Sequence, residues 1–504
     1  MTASPRPLEK IETGIPGFDV VAEGGLPRNR ATLVAGTAGS AKTVFATHFL
    51  AAGIERGEAG VFVTFEDTVA DIRRNVVSLG WNVAEWEERG MWSFVDASPD
   101  ADQPTTVVGE FDLSALLSRV EHAVRKTGAK RVSIDSLNAL FVQFRDHALL
   151  RSELYRITAH LKRLGVTVVF TAERTEEYGE VSRYGVEEFV ADNVIILRNL
   201  LVDERRRRTL ELLKVRGARH QRGEWPFTIG DGGIIVLPLT GITLTQSSST
   251  VRLGTGNADL DEMCGGGFFR DSIILLSGAT GTGKTLMVTQ FMAAGFEADE
   301  RALLFAFEES RDQLYRNAAA WGYDFERMEK DGKLKVVNSY PHAMAMEDHL
   351  VLMRDTIDEF KPNRVAVDSI SALERVTSVR SFREFVISLT SFLKLKETAG
   401  LFTSTTPSLM GGTSVTEKHI STLTDTIILL RYVESYGAMR RGLTVLKMRG
   451  SAHEHDIREY TIDGTGMHIL GPFRDVSGVL SGNPTFLSSD LVAQGEGGEE
   501  ERDE

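Results

Sequence analysis

The sequence predicts an α/β fold built twice: two tandem domains, each a mainly parallel sheet with helices on both faces. Three observations carry this reading. Short apolar runs alternate with helical patterns along most of the chain. Two strings, Gly36-Thr37-Ala38-Gly39-Ser40-Ala41-Lys42-Thr43 and Gly278-Ala279-Thr280-Gly281-Thr282-Gly283-Lys284-Thr285, each follow an apolar run and open a helical pattern. The halves also keep register. The offset is 242 residues from Lys42 to Lys284 and from Glu66 to Glu308, and 233 from Asp135 to Asp368, Lys214 to Lys447 and His220 to His453. One net excess of nine residues in the first copy, between Glu66 and Asp135, accounts for every offset. This is a duplication.

The first domain spans residues 8–243, and a polar, apolar-poor link follows at 244–252. The second domain spans 253–472, and an acidic tail occupies 473–504. Each domain ends in a hairpin-like pair. In the first, apolar runs Asn193 to Leu201 and Thr209 to Val215 flank a charged turn, Asp203 to Arg208, whose four arginines read as solvated.

At 504 residues, with 42% apolar and 25% charged residues, the chain has ordinary globular usage for two or three domains. Its one cysteine, Cys264, can form no intrachain disulfide, which fits a reducing compartment. No signal-peptide core lies in Met1 to Lys10, and no apolar run approaches the roughly 18 residues of a membrane span. A cytoplasmic protein is expected. The net charge of −14 argues against a general nucleic-acid or acidic-membrane binder. From Phe473 onward eight acids face two arginines, and the end from Gln494 is expected to be disordered.

The glycine-bearing strings point to polyphosphate. Backbone N–H groups and a helix N-terminus bind the anion, with glycine where a side chain would collide. Lys42 and Lys284 then reach the terminal phosphates of ATP, and the Thr43 and Thr285 hydroxyls ligate Mg²⁺. The first copy departs at Ala41, where the second has Gly283; if that position needs positive φ, the Cβ costs about 1 kcal/mol. Asp135 and Asp368 each end a buried apolar run, suiting them to the Mg²⁺ hydration shell. Glu66 and Glu308 follow the next strand, where a carboxylate can orient and deprotonate a hydroxyl or water. Asp67 and Glu309 share this role or tune it by like-charge repulsion. Lys214, Arg216, Lys447 and Arg449 lie far from the loops in sequence, as cations that complete a neighbour's site do.

The copies diverge before the hairpin. Val186-Glu187-Glu188-Phe189-Val190 aligns with His419-Ile420-Ser421-Thr422-Leu423, so the second copy has adjacent hydroxyls, with Thr416 a few residues earlier. Hydroxyls held in line with a γ-phosphate and a base are phosphoryl acceptors.

Taken together, these residues resemble the KaiC family, double-domain RecA-like P-loop ATPases and autokinases of bacterial and archaeal timing systems. The resemblance covers about Ile11 to Phe473. Its most specific strings are Phe307-Glu308-Glu309-Ser310-Arg311, Lys447-Met448-Arg449-Gly450-Ser451 and His419-Ile420-Ser421-Thr422-Leu423-Thr424-Asp425-Thr426. It implies phosphoacceptor roles for Ser421 and Thr422, assisted by Thr416, with Arg375 nearby and Glu308 as base. It also implies a homohexamer of two stacked rings with ATP between subunits, reached from the neighbour by Lys214, Arg216, His220, Lys447 and Arg449. The first ring would hydrolyse ATP slowly and the second would phosphorylate its neighbour. Two departures stand out. Asp67 replaces the family's usual second Glu. The Glu-rich end replaces a basic, amphipathic segment, which leaves dependence on KaiA doubtful. A KaiB-like partner on the first ring is open to this chain. The rival readings are a RecA- or DnaB-like nucleic-acid-dependent motor, which the acidic balance disfavours, and a scaffold that binds ATP without transferring phosphate.

Overall fold

The computed structural model describes residues 8–98, 113–141, 147–182, 185, 187–202, 204–238, 248–406, 420–435, 437–474, 476–477 and 485–486. Thr416, residues 244–247 of the expected link and most of the acidic tail lie outside the described residues. The chain divides into two compact units, Met1–Gly241 and Ile242–Glu504.

The first unit holds a nine-stranded sheet. Its strands are β1 (Ala31–Gly36), β2 (Gly60–Thr64), β3 (Trp92–Asp96), β4 (Arg131–Asp135), β5 (Thr167–Glu173), β6 (Asn193–Val202), β7 (Arg205–Val215), β8 (Glu224–Gly230) and β9 (Gly233–Val236). The order across the sheet is 9-8-7-6-1-5-4-2-3, parallel from β6 to β3 and antiparallel from β6 to β9. All six residues of β1 are buried, as a parallel strand covered on both faces requires. Leu33, Val61 and Ile134 pack on one face with Leu117, Val120 and Leu154, while Val34, Phe62 and Val169 pack on the other with Phe45 and Phe49. Helix α1 (Lys42–Glu55), buried from Phe45 to Ile54, covers the second of these faces. Helices α2 (Leu113–Thr127) and α3 (His147–Arg163) cover the first.

The second unit repeats the plan with β10 (Ile273–Gly278), β11 (Ala302–Ala306), β12 (Leu334–Asn338), β13 (Arg364–Asp368), β14 (Ala399–Thr405), β15 (Thr426–Ser435), β16 (Ala438–Met448), β17 (Arg458–Asp463) and β18 (Gly466–Pro472). Their order, 18-17-16-15-10-14-13-11-12, is the first order strand for strand. Helices α4 (Lys284–Glu297), α5 (Met346–Phe360) and α6 (Val379–Leu395) correspond to α1, α2 and α3. Among the described residues no helix is long and apolar enough to cross a membrane.

The structure sharpens the repeat in two places. β3 and β12 still start 242 residues apart while α2 and α5 start 233 apart, so the nine extra residues fall between Asp96 and Leu113. The offset also drops to 232 across α3 with α6 and β5 with β14, and returns to 233 at β6 with β15.

One expectation is corrected. The arginines Arg205 to Arg208 form the start of β7 and pair with Val202, Leu201, Leu200 and Asn199, so they belong to the strand and not to the turn. Glu204, just before the strand, has φ 64°, the left-handed conformation that tight hairpin connections use because it matches the strand twist. Arg208 is drawn inward, and its Nε donates to the Gly39 carbonyl at 3.3 Å.

Candidate active site

Each glycine-bearing loop leaves the carboxyl end of a central strand, β1 or β10. A Cβ on Gly36 would lie 2.2 Å from Ser40 Oγ and 2.7 Å from the Leu197 carbonyl; one on Gly278 would lie 2.7 Å from the Leu430 carbonyl. The loops close on themselves: Ser40 Oγ donates to the Thr37 carbonyl and Thr282 Oγ1 to the Ala279 carbonyl, both at 2.8 Å. Ala41 (φ 74°) and Gly283 (φ 95°) sit in the same left-handed conformation just before the helix. The position does need positive φ, and Ala41 bears that strain. Lys42 Nζ donates to the Thr37 carbonyl at 3.0 Å, and Lys284 Nζ to the Gly278 and Ala279 carbonyls at 2.9 Å. Burial lowers the pKa of both lysines, and nearby carboxylates counter it.

Beside each lysine stands a hydroxyl–carboxylate pair. Thr43 Oγ1 donates to Asp135 Oδ2 at 2.6 Å, and Thr285 Oγ1 donates to Asp368 Oδ2 at 2.8 Å. Burial raises the pKa of both acids, while hydrogen bonds and the lysine pull it down. Sequence reasoning missed the second donor on each carboxylate. Thr171 Oγ1 donates to Asp135 Oδ1, and Thr403 Oγ1 donates to Asp368 Oδ1 at 2.5 Å. A repeat search allowing a one-residue slip would have paired these threonines; a fixed offset of 233 misses them. The cis-acting contact of Arg208 on its own loop was missed for a different reason, the misplaced turn.

The acids after β2 and β11 are placed differently in the two copies. Glu66 Oε1 accepts from Ser136 Oγ at 3.1 Å, and burial, followed by Glu173, Asp135 and Asp67, raises its pKa. In the second copy Glu308 pairs with Arg375, while Glu309 is the acid whose pKa is raised, chiefly by burial. Glu309 accepts from Asn317 Nδ2 at 3.1 Å. The helix after it starts at a capping box, with Ser310 and Gln313 bonding each other's backbone N–H, which anchors the pair of acids.

The remaining residues gather at the other end of the sheet. Lys447 Nζ donates to the Ser421 carbonyl at 2.9 Å and the Thr424 carbonyl at 2.7 Å, and Arg449 Nη2 to the Thr422 carbonyl at 3.2 Å. Lys214 makes the same bonds to the Glu188 and Ala191 carbonyls, both at 2.9 Å, and Arg216 lies 3.6 Å from Asp192. Ser421 is 6% exposed, whereas Thr422 is exposed. His220 lies half-buried between β7 and β8. Ile274 of β10 pairs with Thr426, and Gly278, where the phosphate loop begins, pairs with Leu430. At about 3.3 Å per residue, at least ~13 Å of strand separates Ser421 and Thr422 from their own loop. The structure thus brings Lys447, Arg449, Ser421 and Thr422 together and holds them away from Lys284.

Two phosphate loops, each with its lysine and a hydroxyl–carboxylate pair on a RecA-like sheet, define the class: a duplicated P-loop ATPase. A family model for the ATPase KaiC matches residues 11–241 and again 253–473. The chain belongs to the KaiC family and binds ATP. It is 62% identical over 486 residues to the circadian clock protein KaiC3 of Synechocystis sp., covering 96% of each chain. It is 54% identical over 484 residues to the circadian clock oscillator protein KaiC of Thermosynechococcus vestitus, covering 96% of this chain and 93% of that one. Against the KaiC of Synechococcus elongatus the identity is 53% over 484 residues, with the same coverage.

Proposed function

We propose that the first domain hydrolyses ATP and that the second phosphorylates Ser421 and Thr422 of a neighbouring copy, within a homohexamer of two stacked rings that serves as a phosphorylation-state timer. The observation that carries this is the separation just described: acceptors and phosphate loop occupy opposite ends of one sheet. A hydroxyl must come within about 3.5 Å of the γ-phosphorus to attack it, so the loop of one copy serves the acceptors of the next. Lys447 and Arg449, bound to the acceptor segment, would arrive at that junction as cations on the transferring phosphoryl group. Lys214, Arg216 and His220 have the same part in the first ring.

The donor set fits Mg²⁺. One hydroxyl and one carboxylate oxygen stand side by side in each copy, and phosphate oxygens and water complete the shell of a hard cation. Thr43 with Asp135 and Thr285 with Asp368 would hold the ion, which when bound neutralises charge on the phosphates. In the first domain Glu66, its pKa raised by burial, takes the proton of the attacking water, with Asp67 beside it. In the second, Glu308 deprotonates the neighbour's hydroxyl, Arg375 steadies its carboxylate, and Glu309 tunes the pair. Thr416 assists at the acceptors. Phosphorylation requires Mg-ATP alone, without a KaiA-like activator, and the first ring is the surface for a KaiB-like partner. Cytoplasmic location fits the single buried cysteine.

Mixing two variants tests transfer between copies. Lys284→Ala keeps the acceptors without a working loop, and Ser421→Ala/Thr422→Ala keeps the loop without acceptors. Neither alone should take up label from γ-labelled ATP. Once subunits exchange, mass spectrometry should find phosphate within residues 416–426 of the Lys284→Ala chain. If wild type is labelled there and the mixture is not, transfer between copies is wrong.

A further inference from the structure

The strand next to each metal-facing aspartate carries a buried hydroxyl that the nucleotide-binding pattern does not include. Thr171 and Thr403 are both 0% exposed. Each follows the residue that closes the parallel pairing, Phe170 opposite Ile134 and Phe402 opposite Val367, so it stands level with Asp135 or Asp368 on the adjacent strand. Side chains level with each other on neighbouring parallel strands share a face of the sheet. The outcome is the same in both domains. One carboxylate oxygen accepts from the loop threonine, Thr43 or Thr285, and the other from the strand threonine, Thr171 or Thr403. With a donor on each oxygen, the carboxylate plane cannot rotate, and the oxygen beside the loop threonine is fixed in place. The geometry recurs although the two threonines are 232 residues apart, one out of step with the aspartates at 233. The contact has survived a local slip between the copies.

We propose that Thr171 and Thr403 are positioning residues for divalent-cation binding, holding Asp135 and Asp368 so that one oxygen is presented beside the Thr43 or Thr285 hydroxyl. The inference rests on the reading of those pairs as Mg²⁺-holding groups. A buried donor that orients a metal-facing carboxylate acts through that carboxylate and touches neither nucleotide nor ion itself; its loss typically weakens metal affinity by about ten- to a hundredfold. Valine keeps the branched shape and volume of threonine while deleting the hydroxyl.

The test is the Mg²⁺ dependence of ATP binding by the full chain, comparing wild type with Thr171→Val/Thr403→Val and Thr171→Ser/Thr403→Ser. Equilibrium binding of a fluorescent ATP analogue is followed against free Mg²⁺ and repeated in EDTA. The valine variant should need about tenfold or more Mg²⁺ for half-saturation, with unchanged affinity in EDTA, and the serine variant should match wild type. A purely structural role would weaken binding in EDTA as well, and that result, or an unshifted Mg²⁺ midpoint, overturns the proposal. If the double valine variant does not fold, Thr403→Val alone is read on the second-site phase with the same criteria. Wild-type binding that ignores Mg²⁺ would instead overturn the metal-holding reading beneath it.

Discussion

Ala41 and Gly283 occupy the same turn of two related loops, and their surroundings differ by a few atoms. A Cβ on Gly283 would lie 2.7 Å from Ile462 Cδ1 and 3.1 Å from Met467 Cε. The first copy has Ile229 and Ile234 at the matching positions, 233 residues earlier, and Ala41 packs against the cluster that contains them. Replacing methionine by the shorter isoleucine makes room for the methyl group but does not remove the left-handed φ. Ala41→Gly should therefore stabilise the first domain by roughly 1 kcal/mol, and Gly283→Ala should destabilise the second by roughly 1–2 kcal/mol through strain plus displaced side-chain ends. Calorimetric melting of the full chain, with the two transitions assigned by ATP addition, reads both signs. An unchanged second transition in Gly283→Ala would show that the loop relaxes out of this turn.

Between elements, the copies have kept the fold while exchanging buried polar groups. His48 on α1 is 6% exposed, its Nδ1 accepts from the Ile234 N–H at 3.1 Å, and its ring lies 5.2 Å from that of Trp81. Burial lowers its pKa from 6.5 to about 4. The folded first domain thus keeps His48 neutral where the unfolded chain would take up a proton. Its contribution is complete above pH 6.5 and is lost as the pH falls towards about 4, in total roughly 3 kcal/mol. The second copy has Gln290 at this position, 242 residues on. The first domain of His48→Gln should lose less stability than wild type between pH 6.5 and 4 in urea titrations, and equal slopes would refute the assignment. A second exchange lies on β6 and β15. Arg198 pairs with Glu211 at 2.5 Å and lies 3.7 Å from Glu224. The matching Arg431, 8% exposed, has Thr444 and Ile457 at those positions, and its Nε and Nη1 have no hydrogen-bond partner among the described residues. Truncating a buried cation paired with acids strands those acids, whereas truncating one with no acids at those positions leaves no charge behind and removes a desolvation cost. Arg198→Met should destabilise by about 2–3 kcal/mol and Arg431→Met should be neutral or stabilising. Denaturant melts of the two variants decide it.

Across the whole molecule, the net charge of −14 bears on the rival motor reading. A nucleic-acid motor needs a basic track that releases counterions on binding. The arginine run that came nearest to one is spent within β7, with Arg206 on the Asn199 carbonyl and Arg208 on the phosphate loop. The ATPase rate should therefore be the same with and without single-stranded DNA at low salt, and a several-fold stimulation would revive the motor. The duplication, the loops and the hairpins were legible because they rest on local signals: apolar runs, glycines at fixed spacing, and residues repeated in register.

The sequence by itself determined that this chain is one P-loop domain made twice, and which residue types each copy offers to a nucleotide. It could do so because strand–loop–helix geometry and its glycines are set by neighbours in the chain. Only the tertiary structure decided what depends on neighbouring strands. It clamped Asp135 and Asp368 with Thr171 and Thr403, gave Glu308 to Arg375 while leaving Glu309 half-buried against Asn317, and carried Arg208 onto the phosphate loop. It also put Ser421 and Thr422 at the far end of the sheet from Lys284. Contacts of this kind join residues far apart in the chain, and the order and register of strands, which fix them, are settled only when the sheet is assembled.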